Sequence, residues 1–586
     1  MSNHEPLPML PSPLLDALEL LRSTPPVGRP LTVAEERRLR SQGNLFRPGA
    51  IVLAGDGFDT DAIHGNRFSG RVVLGGEVYQ SVLEDVEVGA GARVDRCPLV
   101  RRTIVGPGSV VRDSTLDCSA PTSFGVGSVI RAGLETPGRE IRIWDAMTLD
   151  DGERYLSDAK LKKRVDRLVE AVTFDRTVVG AGVQILNTPW VDRAYFGPGT
   201  RVHAAQRLDQ CTFVSTVEES VFLGSAVQLR GAIVQWGAEV GSAAQVVQSI
   251  LLEHSAAGRQ ALVTESLIGP NTSVGGGEVT ASFLGPFVGF HHQSLLIAAW
   301  WPEGRGNIGY GANIGSNHTS RSPDQELWAG EGTFFGLATA VKFPSNFQDA
   351  PYSILASGVV TLPQRLSLPF SLILDEPHDT PETRGLNRVI PGWVLKENVY
   401  LLLRNEAKYF QRNRARRHTF DLRIFRPEIV EKLWKARVLL ANTEGKLVYT
   451  REDLPAVGKN YMLEEDRREA LNVYREFLKY AGLKLFAERE LDGIPCDSEW
   501  LGGLFRRLNL DYYSTEQNLA LYLEEERTLW SSSLRAKERD DRRGALIIPD
   551  YEAFHKPAEE DEFLLKKQEE LQSLAGKIRR IGPSVS

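Results

Sequence analysis

Aliphatic residues recur every six positions over much of the first two thirds of the chain. Val86-Glu87-Val88-Gly89-Ala90-Gly91-Ala92-Arg93-Val94 sets valines six apart with glycine between them. Ile104-Val105-Gly106-Pro107-Gly108-Ser109-Val110, Phe124-Gly125-Val126-Gly127-Ser128-Val129 and Val178-Val179-Gly180-Ala181-Gly182-Val183 repeat the theme. So do Leu267-Ile268-Gly269-Pro270-Asn271-Thr272-Ser273-Val274 and Ile308-Gly309-Tyr310-Gly311-Ala312-Asn313-Ile314-Gly315. Strands of a β-sandwich alternate with period two and turn every ~8–12 residues. A period of six with glycine or asparagine nearby reads instead as a parallel β-helix, three such units to a triangular coil. The aliphatic side chain enters a narrow prism, and glycine or asparagine takes the corner, where a positive φ costs little. The pattern predicts Val88, Val94, Ile104, Val110, Ile268 and Val274 in the prism core.

Two stretches break the period. Around residues 150–172, Tyr155, Leu156, Leu161, Val165, Leu168 and Val169 fall at helical spacing and predict a helical insertion. From Trp300 to Thr333, polar segments stand between hexads, as inserts on one face of a solenoid do. Upstream, Thr32 and Glu35 form a capping box opening a short helix that Gly43 ends. Past a linker at Arg384 to Pro391 the pattern turns helical: Val399 to Arg417, Pro427 to Ala441, Glu464 to Glu490, Thr515 to Arg543 and Pro557 to Ile581. Gly544 to Tyr551 reads as an extended link between the last two. The expected domains are an N-terminal segment with a capping helix (1–45), a β-helix with its helical insertion (46–383) and an α-helical C-terminal domain (397–586).

Composition agrees with this division. No lysine precedes Lys160 and none lies between Lys163 and Lys342, a region rich in glycine. Leu, Glu, Arg and Lys dominate after about residue 395. Hydrophobic residues are 42% and charged residues 25% of 586, as in folded chains. A net charge of −7 gives no drive toward nucleic acid or anionic membrane. Cys97, Cys118, Cys211 and Cys496 are far apart and form no CxxC, which suits a reducing compartment. The first residues lack the basic start of a signal peptide, and the longest apolar run, Ser294 to Trp301, is far short of the ~20 residues of a spanning helix. A cytoplasmic protein is expected.

Several chemistries lack their motifs: there is no GxxxxGK[ST], HExxH or GxSxG. Arg404, Lys408, Arg412, Arg414, Arg416 and Arg417 flank Tyr409 and Phe410 on the segment Val399 to Arg417. They read either as a phosphate-binding patch or, more simply, as a solvated face paired with acidic helices. Among the histidines, His254, His291, His292 and His318 lie within or between hexads. Three histidines on neighbouring coils would hold Zn²⁺ with an open position. The densest set of residues outside the repeat lies at 285–331, where such side chains are costly to bury unless paired.

These hexads resemble the left-handed β-helix superfamily of hexapeptide-repeat proteins, over roughly residues 70–375. The resemblance implies a mainly β fold, a left-handed parallel β-helix, here with a helical insertion and an α-helical C-terminal domain. Most of that superfamily are acyltransferases; carbonic anhydrases and binding scaffolds are minorities. The run from His291 through Gly336, followed by Val341 to Gln364, is similar to an uncharacterised bacterial family of long β-helix proteins with a helical C-terminal domain. His291 or His292, then Tyr310-Gly311-Ala312-Asn313 and Ile354-Leu355-Ala356-Ser357-Gly358, also resemble the acetyltransferase domain of the bifunctional GlcNAc-1-phosphate uridylyltransferase, without its Asp and with a shorter interval from His to Asn.

By this resemblance the first expectation is an acyltransferase acting on a sugar or nucleotide-sugar. Acetyl-CoA would be the co-substrate, with no tightly bound cofactor and no metal. His292, His291 and His318 are the candidate catalytic residues. Asn313, Asn317, Trp300, Trp301, Arg305, Asn307, Tyr310 and Asp324 are the candidate substrate-binding residues. A neutral imidazole would take a proton from the attacking amine or hydroxyl, and amides would steady the oxyanion. The alternatives are a non-catalytic scaffold using the helical domain and a zinc-dependent activity like that of the γ-class carbonic anhydrases. A homo-oligomer, a trimer, is the expected assembly; neither nucleic acid nor membrane is an expected partner.

Overall fold

A strand of two or three residues cannot satisfy its own backbone, so each coil here hydrogen-bonds to the coils before and after it. The computed structural model describes residues 8–24, 28–315, 326–378 and 380–581. Within it the chain forms two compact units, residues 1–329, 337–345 and 414–419 in one, and residues 330–336, 346–413 and 420–586 in the other.

The first unit is a parallel β-solenoid with three faces. Ile233–Val234, Ile250–Leu251, Leu267–Ile268, Phe283–Leu284 and Ala299–Trp301 stack in parallel register on the first face. Glu239–Val240, Ala256–Ala257, Ser273–Val274, Gly289–Phe290 and Asn307–Ile308 build the second. Gln245–Val247, Leu262–Thr264, Glu278–Thr280, Leu295–Ile297 and Asn313–Ile314 build the third. Ladder partners such as Ile250 and Leu267 are seventeen residues apart, and Leu267 and Phe283 sixteen. Three full hexads would give eighteen. The buried series Leu229, Val234, Val240, Val246, Leu251 locates the difference: the corner between the third and first faces is one residue short.

Val88, Val94, Ile268 and Val274 are buried as expected. Ile104 and Val110 are only half-buried, and their neighbours Val105 and Val111 hold the core positions. A shift of one residue in a strand exchanges its faces. The stretch Phe124 to Val129 is not a coil. Thr103–Val105 pairs directly with Thr177–Val179, and Leu116–Asp117 with Val191–Asp192, so the chain between Asp117 and Thr177 leaves the ladder. Within it, Val129–Arg131 pairs antiparallel with Glu140–Arg142, and the insertion is wider than the expected 150–172.

Before the solenoid, α1 (Pro13–Ser23) is capped by Ser12, and α2 (Val33–Ser41) opens with the expected capping box of Thr32 and Glu35. The insertion carries α3 (Leu149–Tyr155) and α4 (Ala159–Ala171). Asp145 binds α1 to the insertion: it accepts the Ser12 hydroxyl at 2.9 Å and the Leu14 N–H at 2.9 Å.

The second unit holds further parallel strands, Phe334–Phe335, Ile354–Leu355 and Leu372–Leu374, the last paired antiparallel with Asn387–Ile390. Its helices are α5 (Trp393–Glu397), α6 (Val399–Arg412), α7 (Pro427–Ala441), α8 (Glu464–Asp492), α9 (Ser498–Leu508), α10 (Thr515–Ile547), α11 (Tyr551–Phe554) and α12 (Glu562–Ile581). The basic segment stops being helical at Arg412, five residues earlier than the pattern predicts. Gly544 to Ile547 continue α10 rather than forming a link. The α8 and α10 faces meet through a buried carboxylate, Glu526, which accepts the hydroxyls of Tyr480 at 2.9 Å and Tyr522 at 2.7 Å. Among the described residues no helix is long and apolar enough to cross a membrane.

Candidate functional site

Where the first face turns into the second, successive coils present the same slot. It reads Gly269-Pro270-Asn271 in one coil and Gly285-Pro286-Phe287 in the next, but Leu252-Glu253-His254 in the coil before them. His254, Asn271 and Phe287 all take the left-handed backbone conformation that the corner demands. One coil earlier the same place is Gly237, with φ 63°, and a Cβ there would lie 2.4 Å from His254 Nδ1. Gly237 therefore lets the imidazole lie flat over the preceding corner.

This corner gathers the titratable groups. Glu253 is fully buried and Glu219 is 6% exposed. His254 Nε2 is 2.9 Å from Glu219 Oε1. Residues 414–419 then cross the corner as a non-helical strap that bends at Arg416 and Arg417, with the Arg414 N–H on Asn271 Oδ1 at 3.0 Å. Three consecutive backbone N–H groups of the strap converge on one carboxylate: Arg416, Arg417 and His418 donate to Glu253 at 3.0, 2.9 and 3.0 Å. His418 Nδ1 adds a bond at 2.7 Å to the same carboxylate. The Leu149 N–H reaches His418 Nε2 at 3.2 Å, so Nε2 accepts and Nδ1 carries the proton. The Arg417 guanidinium bridges both acids, 2.9 Å from Glu219 and 3.1 Å from Glu253, and lies 3.8 Å above the Trp236 ring.

Electrostatics follow from these contacts. Burial alone would raise the Glu253 carboxyl, but His418 and the Arg416 and Arg417 N–H groups outweigh it and hold the pKa down at about 2. Glu219 is lowered in the same way, burial being overcome by Arg417 and His254. Burial pushes His254 below its ordinary value despite Glu219, so it is neutral at pH 7. Glu219, Glu253 and His254 offer ligand atoms within 4.8 Å of one another, a spacing suited to a cation. Arg417 supplies the positive charge between the two acids, 2.9 Å from Glu219 and 3.1 Å from Glu253.

The residues singled out from the sequence are dispersed around the coils. His291 and His292 are exposed on the corner between the second and third faces. Tyr310, 53% exposed, stands at the same corner one coil on, where the Gly311 N–H bonds to the His292 carbonyl. Asn307 and His291 close over Gly289, where a Cβ would lie 2.7 Å from Asn307 Oδ1 and 3.7 Å from His291 Nε2. Asn313 is exposed on the third face. Trp301 points into the prism core, whereas Trp300 packs outside the first face against Phe283 and Trp328, centroids 4.7 and 5.8 Å away. A Cβ on Gly133 of the insertion would lie 3.0 Å from Trp300, so the insertion covers that indole. Arg305 is buried in a turn with φ 58°. Asn317, His318 and Asp324 lie outside the described residues. The structure thus brings His291, His292, Asn307 and Tyr310 to one corner and separates the tryptophans from them.

Sequence reasoning weighed His254 and placed Arg417 in a basic helical patch, but missed Glu219, Glu253 and His418. The available signal was an acid and a histidine in a slot that neighbouring coils fill with proline and asparagine or phenylalanine. Comparison with known proteins agrees with the expectation of an uncharacterised family. A relative from Treponema pallidum (strain Nichols), described as "Uncharacterized protein", is 24% identical over 473 residues, covering 73% of this chain. The chain spans 64% of that relative's length. Residues 29–443, which include the whole strap, match the model of one family, and the protein belongs to that family, described as "Domain of unknown function (DUF4954)".

Proposed function

We propose that the chain is a non-catalytic binding scaffold. The observation that carries this reading is the closed state of the Glu219, Glu253 and His254 cluster. Every oxygen of the two acids is used by Arg416, Arg417, His418 or His254. A general base must reach the proton it abstracts, and these groups are spent on holding the strap. Among the described residues, neither exposed histidine at the second corner has a carboxylate bonded to its ring, the usual device for orienting a catalytic imidazole. A solenoid supplies what a scaffold needs: a long, stiff surface whose coils are fixed by their neighbours.

A second reading, acyl transfer from acetyl-CoA to a sugar or nucleotide-sugar, is favoured by one observation, the gathering of His291, His292, Asn307 and Tyr310 on an exposed corner. A thiol-release assay of the full chain with acetyl-CoA and a panel of amino sugars and nucleotide-sugars separates the two. The scaffold reading expects release no faster than in buffer. Turnover that disappears in His291→Ala or His292→Ala would replace it with the transferase.

A further inference from the structure

The second unit contains a cleft of about 550 Å³, within the ~300–1,000 Å³ range of small-molecule sites. Its base is apolar: Ile390, Pro391, Val473 and Ala536, with the half-buried Trp393 at the start of α5. Among the described residues the Trp393 indole N–H has no acceptor. The walls come from the first turns of α8 and the last turns of α10.

The charges on these walls are largely matched. Arg388 is held by Asp466 at 2.7 Å and by Glu465 and Glu376 at 3.1 Å. Lys396 is paired with Glu469, and Arg539 donates to the Glu397 carboxylate at 3.4 Å and to its backbone carbonyl at 3.3 Å. Arg543, one turn beyond Arg539 and on the same helix face, makes no ion pair among the described residues. Asp540, between them, likewise has no partner there. The cleft therefore combines an aromatic plate, a cationic end made of two guanidinium groups, and one carboxylate able to accept from an N–H.

We infer that this cleft binds a heteroaromatic anion of nucleotide size, its ring against Trp393, its phosphate on Arg539 and Arg543, and a ring N–H donor on Asp540. Guanidinium forks match phosphate oxygens two at a time. An indole provides a flat stacking surface for a base. The ion pairs made by Arg388 and Lys396 offset two of the charges on the acidic wall of Glu465, Asp466 and Glu469, and Arg543 adds a cation, unpaired among the described residues, at the opposite end.

The test is isothermal titration of the full chain with AMP, GMP, CMP and UMP, with the four matching nucleosides, and with inorganic phosphate alone. At least one mononucleotide is expected to bind with Kd below about 1 mM. Its uncharged nucleoside and inorganic phosphate should each bind at least tenfold more weakly. Arg543→Glu, at an exposed position, should weaken the mononucleotide at least tenfold while the circular dichroism melt stays in place. Trp393→Phe should weaken it less than Trp393→Ala. No mononucleotide binding at that concentration, phosphate binding as tightly as the nucleotide, or affinity indifferent to Arg543→Glu would each overturn the inference.

Discussion

At the scale of the residue, Glu253 is the most heavily used side chain in the solenoid unit. Glu253→Gln keeps one acceptor oxygen but sets an amide NH2 against the strap N–H groups and removes one of the two carboxylates that hold Arg417. Breaking a buried pair from one side costs about 3–5 kcal/mol. Glu253→Gln is expected to lose stability of that order at pH 7, read from urea unfolding. The pH dependence has a definite sign. The folded pKa of about 2 lies below the ordinary carboxyl value of 4.5, so the contribution is complete above pH 4.5 and fades as pH falls toward 2. The wild type should lose about 3 kcal/mol across that window from this group, and Glu253→Gln should have a correspondingly flatter acid limb. An identical acid limb in the two proteins would contradict the assignment. Asp145 works in the other direction: burial raises it from 3.8 to about 6, against the Leu14 N–H and Ser12 hydroxyl, so its cost to the fold builds between those two values and is constant above about pH 6.

At the scale of the element, a coil is defined by which side chains enter the prism. Trp301 is fully buried while Tyr310, nine residues later, is half in solvent. Trp301→Ala should destabilise by about 3–5 kcal/mol through the cavity it leaves. Tyr310→Ala should stay within about 0.5 kcal/mol, as surface changes do. Comparable losses of thermal midpoint in the two variants would mean that the assigned faces are wrong. The adjacent tryptophans also show what was legible beforehand. The repeat of aliphatics and glycines announced a solenoid because each coil writes the same local constraint. It did not say which of two neighbouring large residues points inward, since both satisfy hydrophobicity and only the pleat decides. Ile104 and Val110 fell on the wrong side for the same reason. Phe124 to Val129 imitated a coil because a glycine-rich hairpin uses the same residues at its bends. The strap was hidden in a run of arginines, good helix formers, and its departure from helix is dictated by a distant carboxylate that no local pattern reveals.

At the scale of the whole molecule, the chain passes between the two compact units at residues 329–330, 336–337, 345–346, 413–414 and 419–420. Five passages make the units difficult to uncouple, because neither is a continuous piece of sequence. Scanning calorimetry should therefore give one cooperative transition, with fluorescence and far-ultraviolet circular dichroism coincident. Two resolved transitions would show that the units unfold independently in spite of their interleaving. The sequence placed a domain boundary at a linker near residue 390, since glycine content changes there. Residues far apart in sequence, such as Glu253 and Arg417, are neighbours in space, which no boundary drawn along the chain records.

The strap can also be described as a ligand that the protein carries for itself. Its six residues dock through three backbone N–H groups, an imidazole and a guanidinium on a socket containing two carboxylates. Because both of its ends are tethered, its local concentration at the socket is set by the chain, on the order of millimolar or higher. A free peptide with the same Arg-Arg-His sequence competes against that figure, and at micromolar concentration it leaves the socket closed. Access to Glu219, Glu253 and His254 is thus governed by the integrity of the tether, and a single peptide-bond cleavage beside the strap would convert a permanent clasp into a reversible binding site.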